Sequence, residues 1–327
     1  MGGSPTTSEH VSSYYQANRS ITRATSAREV FKSSSLNDLL DPAKLKNGFR
    51  ESCDSVDSPN SRAVAIGFDD TGSMGRIPFS FIQEGFPRFI KMIQGGALGY
   101  DPHILFAAIG DAYCDDAPLE VSQFEADTRM LDQLRLFYLE GGGGGNDGES
   151  YEIPWYFLAK HTKIDCFNKR GEKGIYISVG DDKPHDGINT STAKKIFGRN
   201  ESIERSYKTT ELRDMALEKW NLFHIILPED GYGSDRVPET WRKYLGTHVI
   251  SLEDHRYVAE ALATILKLQN GFDRDEVFDM IEDARAKKVI RQAFKGFEIY
   301  KDGEAIKSGK AAGVEFIWSH FYQRGDG

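Results

Sequence analysis

The sequence predicts a doubly wound α/β domain, a mostly parallel sheet with helices on both faces, and three observations carry that expectation. Five short apolar runs follow one another from Ala63 onward, most of them apolar on both faces. Amphipathic helical stripes lie between the runs. The 327 residues, 39% hydrophobic and 28% charged, are enough for one sizeable core with flanking pieces.

The runs are Ala63–Phe68, Ile104–Ile109, Ile175–Val179, Leu222–Leu227 and His248–Leu252. Continuous apolar runs suit parallel strands covered by helices on either side, whereas a half-exposed strand alternates. After the first run, Ile82, Phe86, Phe89 and Ile93 repeat at helical spacing, and Val258, Leu262, Ile265 and Leu268 do the same after the last. Residues 128–139, 149–162 and 208–220 supply further helices. Residues 1–60, rich in Ser, Thr, Asn and Asp, read as a flexible or extended arm with one compact helical candidate at Ser35–Lys46. Residues 61–270 form the domain. Residues 271–327 read as a charged helix, Asp273–Phe294, followed by a hairpin turning at Asp302-Gly303.

The totals exclude several functions. No apolar run approaches the roughly 20 residues needed to cross a bilayer, and the first residues lack a secretory pattern, so the expectation is a cytoplasmic chain that binds no membrane. A formal charge of −9 argues against nucleic acid as a partner. Three widely spaced cysteines, Cys53, Cys114 and Cys166, offer neither a disulfide framework nor a CxxC pair.

The sharpest local signal is Asp69-Asp70-Thr71-Gly72-Ser73-Met74-Gly75, between a buried strand and an amphipathic helix. Asp69, Thr71 and Ser73 stand at i, i+2, i+4, and in a loop leaving a strand end that spacing turns one carboxylate and two hydroxyls toward one point. Asp and Ser after a strand also serve as plain helix caps, so the spacing alone leaves both readings open. Asp70-Thr71-Gly72-Ser73 also spells the aspartic-protease motif, but that chemistry needs a second copy, and the sequence has none. The segment resembles the D-x-S/T-x-S element of the metal-ion-dependent adhesion site in von Willebrand factor A domains.

Two further loops extend the resemblance. Leu139–Tyr151 contains five consecutive glycines, 141–145, and reads on its own as a floppy linker or as a loop on a path that side chains block. It is similar to the G-G-G-D-x-P-E turn of some A-type domains, which implies Glu149 as a ligand with Asn146 and Asp147 beside it. Gly148 stands where that turn has Pro. A helix N-terminal acid is the alternative for Glu149. Gly180-Asp181-Asp182-Lys183-Pro184-His185 resembles the T-D-x-x-P-H stretch that closes the same site, implying Asp181 as a ligand through water and Asp182 facing solvent. His185 reads as a structural turn residue. A fourth acidic loop, Gly110–Asp116, reads as a solvated surface or an accessory to the site.

The resemblance spans about residues 61–270 and points to the intracellular bacterial or viral kind of A-type domain. It implies one divalent cation, Mg²⁺, with Mn²⁺ or Ca²⁺ as alternatives, on Asp69, Thr71, Ser73, Glu149 and Asp181. The implied function is non-enzymatic: the cation takes an Asp or Glu of a protein partner. Soluble relatives of this kind accompany AAA+ ATPases as adaptors or assembly factors, so such an ATPase is a candidate partner. Two rivals stay open. One is a metal-dependent phosphoester hydrolase, for which only Lys183, Arg76 and His185 are at hand; the other is a structural assembly component.

Overall fold

A strand that is apolar on both faces loses most water when helices cover both sides, and the five runs do so as neighbours in one sheet. The computed structural model describes residues 5–94, 97–141, 148–227 and 236–299. In chain order the strands are β1 (Arg50–Ser52), β2 (Ser61–Asp69), β3 (Asp101–Ile109), β4 (Leu119–Val121), β5 (Thr162–Ile164), β6 (Gly174–Gly180), β7 (Gly187–Ile188), β8 (Tyr207–Lys208), β9 (Trp220–Ile226) and β10 (Val249–Ser251). The central sheet has the order β10-β9-β6-β2-β3-β4 and is parallel except for β4, which runs antiparallel to β3 at one edge. It is a doubly wound, mostly parallel α/β sheet. β1 pairs with β5 and β7 with β8 outside it.

The helices are α1 (Ser8–Ala17), α2 (Arg19–Arg23), α3 (Ala27–Val30), α4 (Arg76–Ser80), α5 (Phe86–Ile93), α6 (Arg129–Leu134), α7 (Glu152–Lys160), α8 (Asp165–Arg170), α9 (Thr190–Phe197), α10 (Thr209–Leu217), α11 (Arg236–Leu245), α12 (Val258–Gln269), α13 (Arg274–Asp279) and α14 (Ala284–Ala293). Alternate strand residues serve two cores. Val64, Ile66 and Phe68 of β2 pack with α5 and α12 on one face, while Ala63 and Ala65 pack with α7, α10 and α11 on the other. The stripes Ile82/Phe86/Phe89/Ile93 and Val258/Leu262/Ile265/Leu268 are buried throughout.

Three expectations outside the sheet are corrected. The N-terminal segment is helical and packed: Val11, Tyr15, Ile21, Val30, Phe31 and Leu40 are buried in the core that also holds Phe86 and Leu262. Its apolar residues are few, but Val11 and Tyr15 stand four apart on one helical face, and the Tyr15 hydroxyl donates to the Ile82 carbonyl. Ser35–Lys46 is not a helix. Pro42 has no N–H and crowds the preceding turn, so the chain makes only a 3₁₀ turn, Pro42–Lys44, capped by Asp41 Oδ1 accepting from Ala43 N at 2.8 Å. The helix expected at Asp273–Phe294 is two helices, α13 and α14, the second capped by Asp283 through Ala286 N at 2.6 Å. The hairpin at Asp302-Gly303 lies outside the described residues.

The chain leaves β2 for β3 on one side and later enters β6 on the other. The carboxyl end of β2 is therefore the point where strand order reverses, and in open α/β sheets a crevice opens there. Asp69 is the last residue of β2.

Candidate metal centre

Asp69 is wholly buried, and its carboxylate organises the turn that follows. Oδ1 accepts from Thr71 N at 2.9 Å and from the Thr71 hydroxyl at 2.6 Å. A hydroxyl that donates to Asp69 keeps its oxygen lone pairs for another partner. Gly72 (φ +43°) begins a 3₁₀ turn, Gly72–Gly75, on which Ser73 lies. Nothing is described of the Ser73 side chain, and Asn146 and Asp147 lie outside the described residues.

The second and third loops are tied by their backbones. Glu149 N donates to Lys183 O at 2.9 Å, His185 N donates to Glu149 O at 3.3 Å, and Glu149 bridges Pro184 in a single parallel β-bridge. Gly148 has φ +126°, a region closed to proline, and a Cβ there would stand 2.9 Å from Lys183 O. The glycine that replaces proline in this turn is thus what allows the loops to approach. Helix α7 begins at Glu152, whose Oε2 accepts from His185 N at 3.1 Å. Burial pushes this carboxyl up to about 8.

Tyr151 joins the second loop to the first. Its hydroxyl donates to Asp69 Oδ2. The ring packs edge-on against His224 and Trp241, with centroids 5.4 and 5.3 Å away. Trp241 in turn donates from Nε1 to the Asp182 carbonyl at 2.8 Å, holding the third loop. A Cβ added at Gly180, the end of β6, would overlap the Tyr151 hydroxyl.

The carboxylates crowd one another. Burial, with Asp181 beside it, pushes the Asp69 carboxyl up to about 7. Burial and then Asp69, Asp111, Asp182 and Asp115 push Glu149 up to about 9. Glu149 is only 7% exposed, and its Oε2 has no hydrogen-bond partner among the described residues. Asp182 is half-buried rather than turned to solvent, and its Oδ1 accepts from Lys183 N at 2.7 Å. So the structure gathers Asp69, Thr71, Glu149 and Asp181 at one end of the sheet.

Hydroxyl and carboxylate oxygens are hard donors, and an orphaned buried carboxylate oxygen fits a divalent cation. Among the described residues, no group of three or more His, Cys, Asp or Glu side chains is placed to hold a metal ion.

Two residues of this site were not legible as such. Tyr151 carries no local sign in the sequence, because its role depends on the missing Cβ at Gly180, in strand β6. Of the two readings of the Gly110–Asp116 loop, solvated surface and accessory to the site, burial is against the first for two of its acids: Asp111 is wholly buried and Asp115 is 4% exposed. The signal for Asp111 was its position, two residues past the end of β3 at the same switch point. His185, read as a turn residue, has its Nε2 3.0 Å from Asp111 Oδ1.

The fold and site define a doubly wound α/β domain with a buried cluster of acids and a threonine hydroxyl at its switch point. No protein-family model and no curated protein sequence matches the chain. Among solved structures it is similar to the pilus adhesin SpaC from Lactobacillus rhamnosus GG, at 11% identity over 71% of this chain and 31% of that one, with a TM-score of 0.41. It is similar to proximal thread matrix protein 1 from the mussel byssus, with a zinc-occupied MIDAS motif, at 12% identity over 66% and 48%, with a TM-score of 0.40. A von Willebrand factor type A protein from Catenulispora acidiphila gives 14% identity over 64% and 42%, with a TM-score of 0.34. The chain spans between about a third and a half of the length of these proteins.

Proposed function

We propose that the protein is a metal-dependent protein-interaction module of the von Willebrand factor A type, with Asp69, Thr71, Ser73, Glu149 and Asp181 holding one Mg²⁺. The observation that carries this reading is the buried Glu149 Oε2, which has no hydrogen-bond partner among the described residues, beside Asp69, which in turn lies against Asp181 and bonds Thr71. A divalent ion at that point offsets the repulsion among the acids and leaves a coordination position for a partner's Asp or Glu. The chain's own residues do the rest. Tyr151 and the Thr71 amide orient Asp69, and the Glu149–Lys183 backbone bond fixes the distance between the second and third loops.

A binding module is favoured over a hydrolase because only Lys183, Arg76 and His185 stand near the three loops. Of these, His185 is bonded to Asp111, and Arg76 lines a cavity of about 20 Å³ with Glu253 and His255, to which none of the proposed ligands contributes. The cytoplasm as compartment belongs to the same proposal, supported by three unpaired cysteines.

Partner capture from lysate by the full chain tests the proposal, done with Mg²⁺, with EDTA, with Mg²⁺ restored and with Asp69→Ala. The expected result is capture that is lost in EDTA, returns with Mg²⁺ and is absent in the variant. Capture that persists through all conditions takes the metal out of the account. An AAA+ ATPase is one partner class to look for among the captured proteins.

A further inference from the structure

Asp111 is a wholly buried acid just past the end of β3, on a loop that supplies none of the proposed ligands. A carboxylate in that position is costly unless donors surround it, and its donors come from three loops. From its own loop, Tyr113 N reaches Oδ1 at 3.1 Å and Cys114 Sγ reaches Oδ2 at 2.9 Å. From the second loop, Ser150 Oγ donates to Oδ1 at 3.3 Å while accepting from Ala112 N at 2.9 Å. From the third, His185 Nε2 donates to Oδ1 at 3.0 Å. With Asp111 as a carboxylate, which only accepts, this bond requires the Nε2–H tautomer of the imidazole.

These bonds converge on Glu149 from two directions. Ser150 follows it in sequence, and His185 meets it in space, its N–H donating to the Glu149 carbonyl at 3.3 Å. The outer side of the imidazole is closed by Tyr113, edge-on at 4.7 Å and 78°. The geometry points to Asp111 as the positioning residue of Glu149, and so to the loop after β3 as a fourth element of the metal site. This inference rests on the metal-site reading above. It implies that cation affinity depends on Ser150 and His185, which contribute no ligand atom, because outer partners that orient a ligand are worth about 10–100-fold in affinity.

The test titrates the full chain with Mg²⁺ and separately with Mn²⁺ by calorimetry, and melts the metal-free protein in EDTA. The variants are Ser150→Ala, His185→Ala and His185→Gln, whose amide N–H can still reach Asp111. Asp111 itself is left intact, because removing a buried acceptor endangers folding. Positioning predicts that both alanine variants bind the ions about 10–100-fold more weakly, that glutamine recovers most of the loss, and that the metal-free chain loses only the few degrees that one missing donor to the buried Asp111 costs. Alanine variants that bind as tightly as wild type overturn the inference while leaving the metal site standing. Weakened binding that glutamine does not recover, with an equal loss of metal-free stability, reduces Asp111 to a structural residue. A wild-type chain that takes up neither ion removes the metal reading, and this inference with it.

Discussion

The two ends of the central sheet use the same residue types and treat them in opposite ways. At the amino end, Asp54 accepts from Ser61 N at 3.2 Å, from Ser61 Oγ at 2.7 Å and from Arg170 Nη1 at 2.8 Å, with Lys169 Nζ 3.4 Å away. Partial burial opposes ionisation there, but the Ser61 and Arg170 bonds outweigh it and hold the carboxyl down to about 2. Nearby, the buried imidazole of His103 lies between the Ser52 and Ser58 hydroxyls at 3.2 and 2.8 Å. At the carboxyl end, Asp69 and Glu149 are pushed up instead, first by burial and then by other acids. One end closes on its own donors; at the other, Glu149 Oε2 finds none among the described residues. A fold that can pair its acids at one end and crowds Asp69 and Glu149 at the other has the arrangement that the proposed cation would relieve.

The largest expected effect on stability comes from disturbing the packing that holds the acidic end together. Gly180→Ala places a methyl group where the Tyr151 hydroxyl lies, so Tyr151 must retreat from Asp69 or β6 must shift. Overpacking of this kind costs about 1–3 kcal/mol. Urea denaturation of the metal-free chain reads it as a lowered midpoint. An unchanged midpoint means that Tyr151 does not reach across Gly180, and the link between the first two loops is then lost from the description.

How legible all this was depended on how local the cause is. The strand runs were readable because burial on both faces forces apolar residues at every position of a segment such as Ile175–Val179. β4 was not, because it has three residues and carries the buried acid Glu120, whose Oε1 accepts from Tyr138 N at 2.8 Å. Asp69 and Thr71 share one turn, so their spacing could be read directly. Asp111 needs Ser150, 39 positions away, and His185, 74 positions away, before its burial makes sense. No window of sequence contains that. The N-terminal segment failed as a reading for a related reason. Its polar composition describes the exposed side of α1, while Val11 and Tyr15 alone report the face that packs.

At the well-paired end, Asp54→Asn is expected to destabilise. The folded carboxyl sits at about 2 against an ordinary 3.8. Its contribution is therefore fully present above about pH 4 and is lost as pH falls through 2. With solvent screening allowed for, the loss at pH 7 is roughly 1–2 kcal/mol. Denaturation midpoints of wild type and variant at pH 7 and at pH 2 check this: a gap at pH 7 that closes at pH 2 is the expected pattern. A gap of the same size at both pH values assigns the effect to shape rather than charge.

The same acid-to-amide exchange at the other end should have the opposite sign, and the two measurements together bring the comparison to a point. Glu149→Gln replaces a carboxyl whose ionisation is opposed by burial and by the acids around it with a neutral amide, and gives the site a donor where Oε2 has no partner among the described residues. Replacing an unsatisfied buried oxygen by a group that can donate to a neighbouring carboxylate is worth about 1 kcal/mol in the metal-free chain. Thermal denaturation in EDTA should thus show Glu149→Gln slightly more stable than wild type, and Mg²⁺ should raise the melting temperature of wild type but not of the variant. Binding residues often stabilise less than the side chain that would replace them, because their arrangement answers to a ligand rather than to the fold. If Glu149→Gln instead weakens the metal-free protein as Asp54→Asn does, Glu149 is a satisfied structural acid, and the asymmetry between the two ends of the sheet disappears.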